Sequence, residues 1–275
     1  MTAATLLLAL SGATAPSCAP IAGAAPLLAM PQRRAFIFGE LHGTIEIPAL
    51  FGDLVCLAAA EGPVIVGLEM PESSQAALDS WLASDGGVAA QASLLADSFW
   101  RLGDGRSSAA VLALLGRVRE LRAAGRQIGL LAFVPSVYGG ATQTPYEQAM
   151  AANWRRALAA APGARLLVLV GSVHSRTAPY RDFEPAGMHL PRAETLTFGP
   201  LTVGGSAYNC QPDGCGPHPN GQMPDPMPPR GVIPTPAVAM ATMAYDYLYS
   251  PGIAFTPSPP ASPGPAPAQV RPPGS

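Results

Sequence analysis

Apolar runs alternate with amphipathic stretches along about the first two hundred residues of the chain. Four short runs are rich in β-branched or aromatic residues and contain no polar interruption, which is typical of strands buried on both faces of a sheet. These predicted strands cover residues 34–38, 64–68, 128–134 and 165–170. Because helical spacing fills the intervals between them, the pattern predicts an α/β fold with a mainly parallel sheet and helices on both faces.

The predicted helices follow from apolar residues spaced three and four positions apart. They cover residues 48–60, 72–83, 87–96, 109–124 and 146–160, the fourth with Ser107 or Ser108 as its N-cap and Gly125 as its end. Two later runs, residues 195–198 and 245–255, are expected to add an edge hairpin or a flap.

Proline divides the chain into a compact part and an extension. The 32 prolines cluster between Pro212 and Pro236 and again from Pro251 to Pro273. We therefore expect the α/β domain to cover residues 30–204. A Gly/Pro-rich irregular connection with an edge strand then covers residues 205–256, and a disordered Pro-rich tail covers residues 257–275.

The amino terminus favours export. An apolar stretch ends in small residues at Ala15, which is typical of a signal peptide over residues 1–15, although the positive n-region is missing. Cys18 follows a poor lipoprotein box, so we expect a periplasmic or secreted protein without a lipid anchor. No later stretch is long and apolar enough to span a bilayer, so no transmembrane segment is expected in the mature chain.

Four cysteines fit an oxidising compartment. Cys210 and Cys215 bracket a Pro-Asp-Gly turn that would bring them together as a disulfide. The alternative is a zinc knuckle that includes His218, but it lacks a fourth ligand nearby. Cys56 falls on the apolar face of a predicted helix, where a buried thiol needs no function.

The composition excludes several function classes. All 16 basic residues are arginine, so Schiff-base and lysine-base catalysis are excluded. The net charge is −2 and no basic block is present, which argues against a nucleic-acid partner. A small-molecule or peptide substrate remains the expected partner, and the oligomeric state is not indicated.

Two of the predicted strands run into the same four-residue pattern, GxxH. Gly39-Glu-Leu-His42 follows the first strand and Gly171-Ser-Val-His174 follows the fourth, and together they hold two of the four histidines. A third strand ends in Glu69. Because the carboxyl ends of parallel strands meet at one edge of a sheet, where ligands bind, we expect these side chains to share a crevice.

Two imidazoles and two carboxylates permit two kinds of chemistry. His42, His174, Glu40 and Glu69 could bind a divalent metal ion and leave a position open for water. Without a metal, a histidine flanked by glutamate could act as a general base towards water. The spacing leaves both interpretations open.

Two further residues are candidates for this crevice. Arg106 precedes a predicted helix N-terminus, where it could stabilise an oxyanion or hold an anionic substrate group. The alternative is an ordinary solvated loop with Asp104. Tyr146 begins the helix that leads into the second GxxH strand, so it would line the crevice or belong to the core.

The paired GxxH motifs, with a glutamate at an intervening strand end, resemble the superfamily that joins Tiki metalloproteases, TraB/PrgY proteins, erythromycin esterases and ChaN-like haem-binding lipoproteins. The resemblance spans residues 34–175, and the segments 104–108 and 146–153 are similar to helix starts of these proteins. Carried over residue by residue, it implies a site formed by Glu40, His42, Glu69 and His174.

Activities differ within this superfamily, so the resemblance does not fix the function. We predict an exported hydrolase of unknown substrate that depends on a metal or on its histidines and glutamates. The alternative is a non-catalytic haem- or iron-binding protein of the ChaN type, with Tyr146 or a crevice histidine as axial ligand. A third interpretation is a degenerate member that serves as an interaction protein.

Overall fold

The computed structural model describes residues 17–136 and 141–262. The predicted signal peptide and residues 263–275 of the predicted tail lie outside the described residues. The strands are β1 (Ala35–Glu40), β2 (Val64–Pro71), β3 (Ile128–Val134), β4 (Arg165–Gly171), β5 (Thr195–Pro200), β6 (Ser206–Gln211), β7 (Gly214–Pro219), β8 (Gly231–Pro234) and β9 (Tyr247–Ser250). The helices are α1 (Ala24–Leu28), α2 (Glu46–Glu61), α3 (Gln75–Ala83), α4 (Val88–Leu95), α5 (Ala109–Ala123), α6 (Thr144–Ala160) and α7 (Met240–Met243).

Seven strands form one sheet in the order β3-β2-β4-β1-β5-β9-β8. Neighbouring strands are parallel except at the end of the sheet, where β8 runs antiparallel to β9. The predicted α/β fold with a mainly parallel sheet is therefore confirmed. The second sheet is a two-stranded antiparallel hairpin formed by β6 and β7.

Both faces of the sheet are covered by helices, which explains why the central strands are apolar until Glu40 and Glu69, near the carboxyl ends of β1 and β2. Along β1, Phe36 and Phe38 pack into the core that the sheet shares with α1 to α5. Ala35 and Ile37 point to the opposite face, where they pack with Trp154 of α6. Successive strand residues alternate between faces, so a strand buried on both sides has apolar side chains at consecutive positions.

The motif glycines lie inside the strands and not in turns beyond them. The first predicted strand continues through Gly39 to Glu40, and the fourth continues to Gly171. In the register of the two strands Glu40 lies opposite Gly171, so both GxxH motifs leave the sheet at the same level. Adjacent parallel strands in this register bring the two motif histidines to one edge.

The predicted edge hairpin of the carboxyl-terminal region was wrong. β5 pairs parallel with β1, and β9 pairs parallel with β5, so both strands extend the main sheet. A parallel pair needs a long crossover connection, and residues 201–246 supply it. The hairpin that does form lies within this connection, between residues 206 and 219.

The first six residues of the predicted disordered tail are ordered against the domain. The carbonyl of Pro259 accepts a hydrogen bond from the N–H of Ala109 at 2.8 Å, and the Ser258 hydroxyl accepts one from Ala110 at 2.9 Å. Proline lacks an N–H but keeps its carbonyl acceptor, which suits the free N–H groups at a helix N-terminus. The prediction of disorder was therefore wrong for residues 257–262.

Two disulfides connect the four cysteines. Cys210 and Cys215 form the predicted bond across β6 and β7, so the zinc-knuckle alternative is excluded for these two residues. The interpretation of Cys56 as a free buried thiol was wrong, because it is bonded to Cys18. Nothing in the local sequence pairs two cysteines 38 residues apart. Within the described residues, no helix combines the length and the apolar character that a membrane crossing requires.

Candidate functional site

The candidate site lies at the carboxyl ends of β2, β4 and β1, which are neighbours in the sheet. A cavity of about 370 Å³ opens there, and its walls include Glu40, His42, Gly171 and His174. Glu69, near the end of β2, is not part of the cavity wall but is hydrogen-bonded to Gly171, which is. Ligands of parallel sheets bind at this edge, as the strand pattern predicts.

The first histidine pairs with the carboxylate at the end of the strand that precedes it. The carboxylate of Glu40, the last residue of β1, is hydrogen-bonded to Nδ1 of His42. The Nε2 atom of the same ring lies 3.5 Å from Oε2 of Glu69. His42 is thus held between two carboxylates, one on each ring nitrogen.

The second histidine pairs with a residue that the sequence analysis did not identify. Nδ1 of His174 lies 2.8 and 2.9 Å from the two carboxylate oxygens of Glu147 on α6. Glu147 is fully buried and also accepts a hydrogen bond from the N–H of Ala186 at 2.9 Å. Nε2 of His174 lies 4.0 Å from Oε1 of Glu69, on the cavity side.

Glu69 connects the two histidine–carboxylate pairs. One of its oxygens accepts the N–H of Gly171 at 2.6 Å and faces His42, and the other faces His174. Nη1 of Arg106 lies 3.5 Å from the same carboxylate. The buried carboxylate is therefore surrounded by donors and cations.

Arg106 is held in place by a residue two positions earlier. Its Nε donates to Oδ2 of Asp104 at 2.8 Å, and its backbone N–H donates to Oδ1 at 3.2 Å. Because the guanidinium also faces Glu69, the segment is not an ordinary solvated loop. The structure brings Arg106 to the predicted crevice.

The charges in the site shift the pKa of its groups in a consistent direction. Burial disfavours the charged form of His42, but the carboxylates of Glu69 and Glu40 outweigh it and raise the pKa of His42 to about 9. Burial likewise opposes charge on Glu69, yet His42, His174 and the Gly171 N–H lower its pKa. At neutral pH, His42 is therefore a cation and Glu69 an anion.

The same balance raises the pKa of His174. Burial opposes the charged ring, while the hydrogen bond from its Nδ1 to Glu147 and the charge of Glu69 favour it. Arg106 also has a raised pKa, because its bond with Asp104 outweighs the effect of burial. The site thus stabilises positive charge on both imidazoles.

The two motifs need glycine at Gly39 and Gly171, because neighbouring atoms lie too close for a side chain at these positions. A Cβ atom on Gly171 would lie 2.9 Å from Nε2 of His42 and 3.4 Å from Oε2 of Glu69, in the space between the two rings. A Cβ atom on Gly39 would lie 2.8 Å from Cα of Ser172, where the two motifs touch. Side chains at these positions would push the two motifs apart.

The hairpin of β6 and β7 forms one wall of the cavity. Its residues Asn209 and Cys210 line the cavity, and the N–H of Tyr208 donates to the carbonyl of Gly43 at 2.9 Å. Gly43 has a φ of 74°. A Cβ there would lie 1.8 Å from the Tyr208 carbonyl oxygen, so only glycine allows the hairpin to pack this closely.

The structure brings Glu40, His42, Glu69, Arg106 and His174 together at this edge. Tyr146 lies beside them: its half-buried ring contacts the ring of His174 edge to face, with centroids 6.3 Å apart. Sequence reasoning missed Glu147, Asn209 and Cys210, and it weighed Asp104 only as a loop residue. Glu147 stands directly after Tyr146, in a segment that the superfamily resemblance singled out. Its partner, however, lies 27 residues away.

The arrangement does not fit the predicted metal site. Among the described residues, no group of three or more His, Cys, Asp or Glu side chains is placed to hold a metal ion. The guanidinium of Arg106 lies 3.5 Å from the carboxylate of Glu69, and the Nε2 atoms of both imidazoles also face that carboxylate. The carboxylates already have cationic or N–H partners from the protein itself.

No protein-family model matches the chain, and no curated protein sequence matches it either. Solved structures do. An erythromycin esterase, EreC, solved as a point mutant in an open conformation, is 12% identical with a TM-score of 0.63, and the match covers 84% of this chain and 93% of that one. The type III effector HopBA1 is 17% identical with a TM-score of 0.47, and the match covers 88% and 99%.

A haem-bound structure of ChaN from Campylobacter jejuni is 9% identical with a TM-score of 0.44, and the match covers 85% of this chain and 90% of that one. At such identities a comparison establishes the fold alone, and the EreC match carries that conclusion. The chain therefore has the fold of an erythromycin esterase structure, as its resemblance to that superfamily predicts.

Proposed function

We propose that the protein is a hydrolase of small acyl esters that works without a metal, with His174 as the general base. The observation that carries this proposal is a pair of imidazoles that line one cavity, with their Nδ1 atoms bonded to carboxylates and their Nε2 atoms facing the carboxylate of Glu69. A cavity of about 370 Å³ suits a small molecule. The shared fold with an esterase agrees with this chemistry.

His174 is the better base of the two histidines. Glu147 accepts the Nδ1 proton, so the neutral ring presents its Nε2 lone pair to the cavity. The raised pKa of His174 makes this nitrogen a stronger proton acceptor. When Nε2 takes a proton from water, Glu147 and Glu69 stabilise the resulting imidazolium.

His42 and Arg106 stabilise the negative charge that develops on the substrate. With a pKa of about 9, His42 is already protonated at neutral pH and can only donate. The guanidinium of Arg106 adds a second cation, with Nη1 3.5 Å from Oε1 of Glu69. Fixed cations aimed at a developing oxyanion are a large contribution to catalysis in buried sites.

His174 takes up a proton in the first step of the proposed reaction and returns it in the last. Water attacks the acyl carbon while its proton passes to Nε2 of His174, and the carbonyl oxygen becomes the oxyanion. The bond from the acyl carbon to the leaving oxygen then breaks, and His174 returns its proton to that oxygen. An acid and an alcohol leave, and the ring is neutral again.

Ester hydrolysis by the purified full chain tests this proposal, with p-nitrophenyl acetate as the probe. We expect activity that a chelator does not reduce, that is lost in H174N and that is kept in H218N. His218 is a matched control, because it also pairs with a carboxylate, that of Asp213 at 3.1 Å, but does not line the cavity. Activity that disappears with the chelator, or that survives in H174N, overturns the proposal.

A second candidate function is haem binding, for which the position of Tyr146 beside His174 is the supporting observation. A titration with haemin tests it. A Soret shift in the wild-type protein that is lost in Y146F supports this candidate, and an unchanged spectrum rejects it.

We also propose that the protein is exported, because both disulfides require an oxidising compartment to persist. Fractionation of the producing cells, with mass mapping of the cysteine pairs without reductant, tests this. Recovery of the chain in the cytoplasm with free thiols contradicts it.

A further inference from the structure

We propose that Tyr245 and Tyr249 are positioning residues that fix the two GxxH motifs relative to each other through hydrogen bonds to their backbones. Tyr245 lies two residues before β9 and Tyr249 lies within it, in the Gly/Pro-rich part of the chain, and neither residue lines the cavity. This positioning role rests on the proposed function only in the experiments that measure activity.

Tyr249 acts on the first motif. Its side chain is fully buried, and its hydroxyl donates to the carbonyl of Gly39 at 2.6 Å. Its ring packs on Phe38, with centroids 5.3 Å apart. The acceptor belongs to the peptide group that joins Gly39 to Glu40, so this bond fixes the backbone from which the Glu40 carboxylate reaches His42.

Tyr245 acts on the second motif in the same way. Its hydroxyl donates to the carbonyl of Ser172 at 2.9 Å, two residues before His174. The ring occupies the space above Gly199, where a Cβ atom would lie 2.2 Å from it. The Ser175 hydroxyl donates to the same carbonyl at 3.0 Å, so the turn that carries His174 is held from two sides.

A direct backbone bond joins the two motifs between these tyrosines. The N–H of Ser172 donates to the carbonyl of Glu40 at 2.9 Å. The hydrogen bonds therefore run from Tyr249 to the first motif, from the second motif to the first, and from Tyr245 to the second. Loss of either hydroxyl leaves a carbonyl of this series with one donor fewer and weakens the constraint on the adjacent peptide group.

The test compares the variants Y249F and Y245F with Y247F in the full chain. Tyr247 lies on the same strand and stacks on Phe198, with centroids 5.5 Å apart, and in the described part of the chain its hydroxyl donates to neither motif. Phenylalanine keeps the ring packing in all three cases. The first readout is the ring nitrogen chemical shifts of His42 and His174 at fixed neutral pH, which report the tautomer and the hydrogen bonding of each ring.

We expect Y249F to shift the ring signals of His42 and Y245F to shift those of His174, while Y247F shifts neither. With p-nitrophenyl acetate, kcat/KM should fall about tenfold in each of the first two variants and stay unchanged in the third. Replacing Tyr249 by 4-aminophenylalanine, which restores a donor, should restore both readouts, and it keeps the test valid if Y249F folds poorly.

Ring signals that stay at their wild-type positions in both Y249F and Y245F overturn the positioning role. Equal shifts in Y247F overturn it too, because the effect would then come from altered packing of β9. If the wild-type protein hydrolyses no ester, the proposed function fails, but the ring signals still decide whether the tyrosines position the motifs.

Discussion

The two histidine–carboxylate pairs of the cavity perform matching tasks but are built in different ways. His42 takes its partner, Glu40, from two residues earlier on the same strand end. His174 takes its partner, Glu147, from a helix on one face of the sheet, 27 residues earlier. The first pair is therefore visible in the local sequence, whereas the second exists only because α6 packs against β4.

The surroundings of the two pairs also differ. Both Glu40 and Glu69 act on His42, which keeps that ring charged at neutral pH with a pKa of about 9. His174 lies 4.0 Å from Glu69 and is bonded to the fully buried Glu147. In the proposed reaction we give the charge-stabilising role to His42, whose Nε2 lies closer to Glu69, and the basic role to His174.

Removing the second ring should have the largest effect. In H174N the base is lost, and we expect kcat/KM for p-nitrophenyl acetate to fall by about 10³-fold. In H42N an oxyanion donor is lost, and the expected fall is nearer about 10²-fold. If H42N is the more damaging variant, the roles of the two pairs are reversed.

Neutralising the buried carboxylate of the second pair should have the next largest effect. In E147Q the ring of His174 loses the acceptor that orients it, and we expect kcat/KM to fall by about 10²-fold. Glu147 raises the pKa of His174, so its neutralisation lowers that pKa. The activity that remains should therefore begin to rise at a lower pH than in the wild type.

A pH profile of kcat/KM for wild type and E147Q checks this prediction. An acidic limb at the same pH in both proteins contradicts it, because the limb would then report another group.

The first pair should make stability depend on pH. The pKa of His42 is about 9 in the folded protein against an ordinary value of 6.5, so its contribution is fully present below about pH 6.5 and is lost as the pH rises through about 9. The free energy of unfolding should therefore decrease over this window. In E40Q the decrease should be smaller, because one of the two carboxylate charges that raise the pKa of His42 is gone.

Urea unfolding at several pH values from about 6 to about 10 measures this dependence for both proteins. Identical slopes in wild type and E40Q contradict the assignment of Glu40 as a cause of the raised pKa.

The hydrogen bonds that Ser258 makes near the first pair should have the smallest effect, a loss of stability. The backbone N–H of Ser258 donates to the carbonyl of Gly43, next to His42, at 2.8 Å, and its hydroxyl accepts the N–H of Ala110. The variant S258A keeps the first bond and loses the second, so we expect about 1 kcal/mol less stability. The matched control is S80A, whose exposed hydroxyl bonds only within its own helix.

Urea unfolding measures both variants. A loss in S258A no larger than that in S80A shows that the carboxyl-terminal residues do not support the helix.

Much of the fold could be predicted because apolar periodicity depends on local chain geometry. β3 begins and ends at the predicted residues, and the first and fourth strands differ only at their ends. The carboxyl-terminal part could not be predicted in the same way. Its proline content indicated disorder over residues 257–275, but proline carbonyls remain acceptors, and the N-terminus of α5 provides the donors that order residues 257–262.

For the site, the sequence by itself determined which reactive side chains lie at the end of each strand. A glycine at the end of a buried strand and a histidine three residues later, with Glu40 between them in the first motif and Glu69 near the end of β2, follow from local pattern and from the parallel sheet.

Only the tertiary structure decided which partner each histidine has and which charge it carries. Glu147, the Cys18–Cys56 disulfide and the two tyrosines behind the motifs are brought in from distant parts of the chain. The sign and size of a pKa shift depend on burial and on charges a few ångströms away, and these distances are set by packing and not by spacing along the sequence.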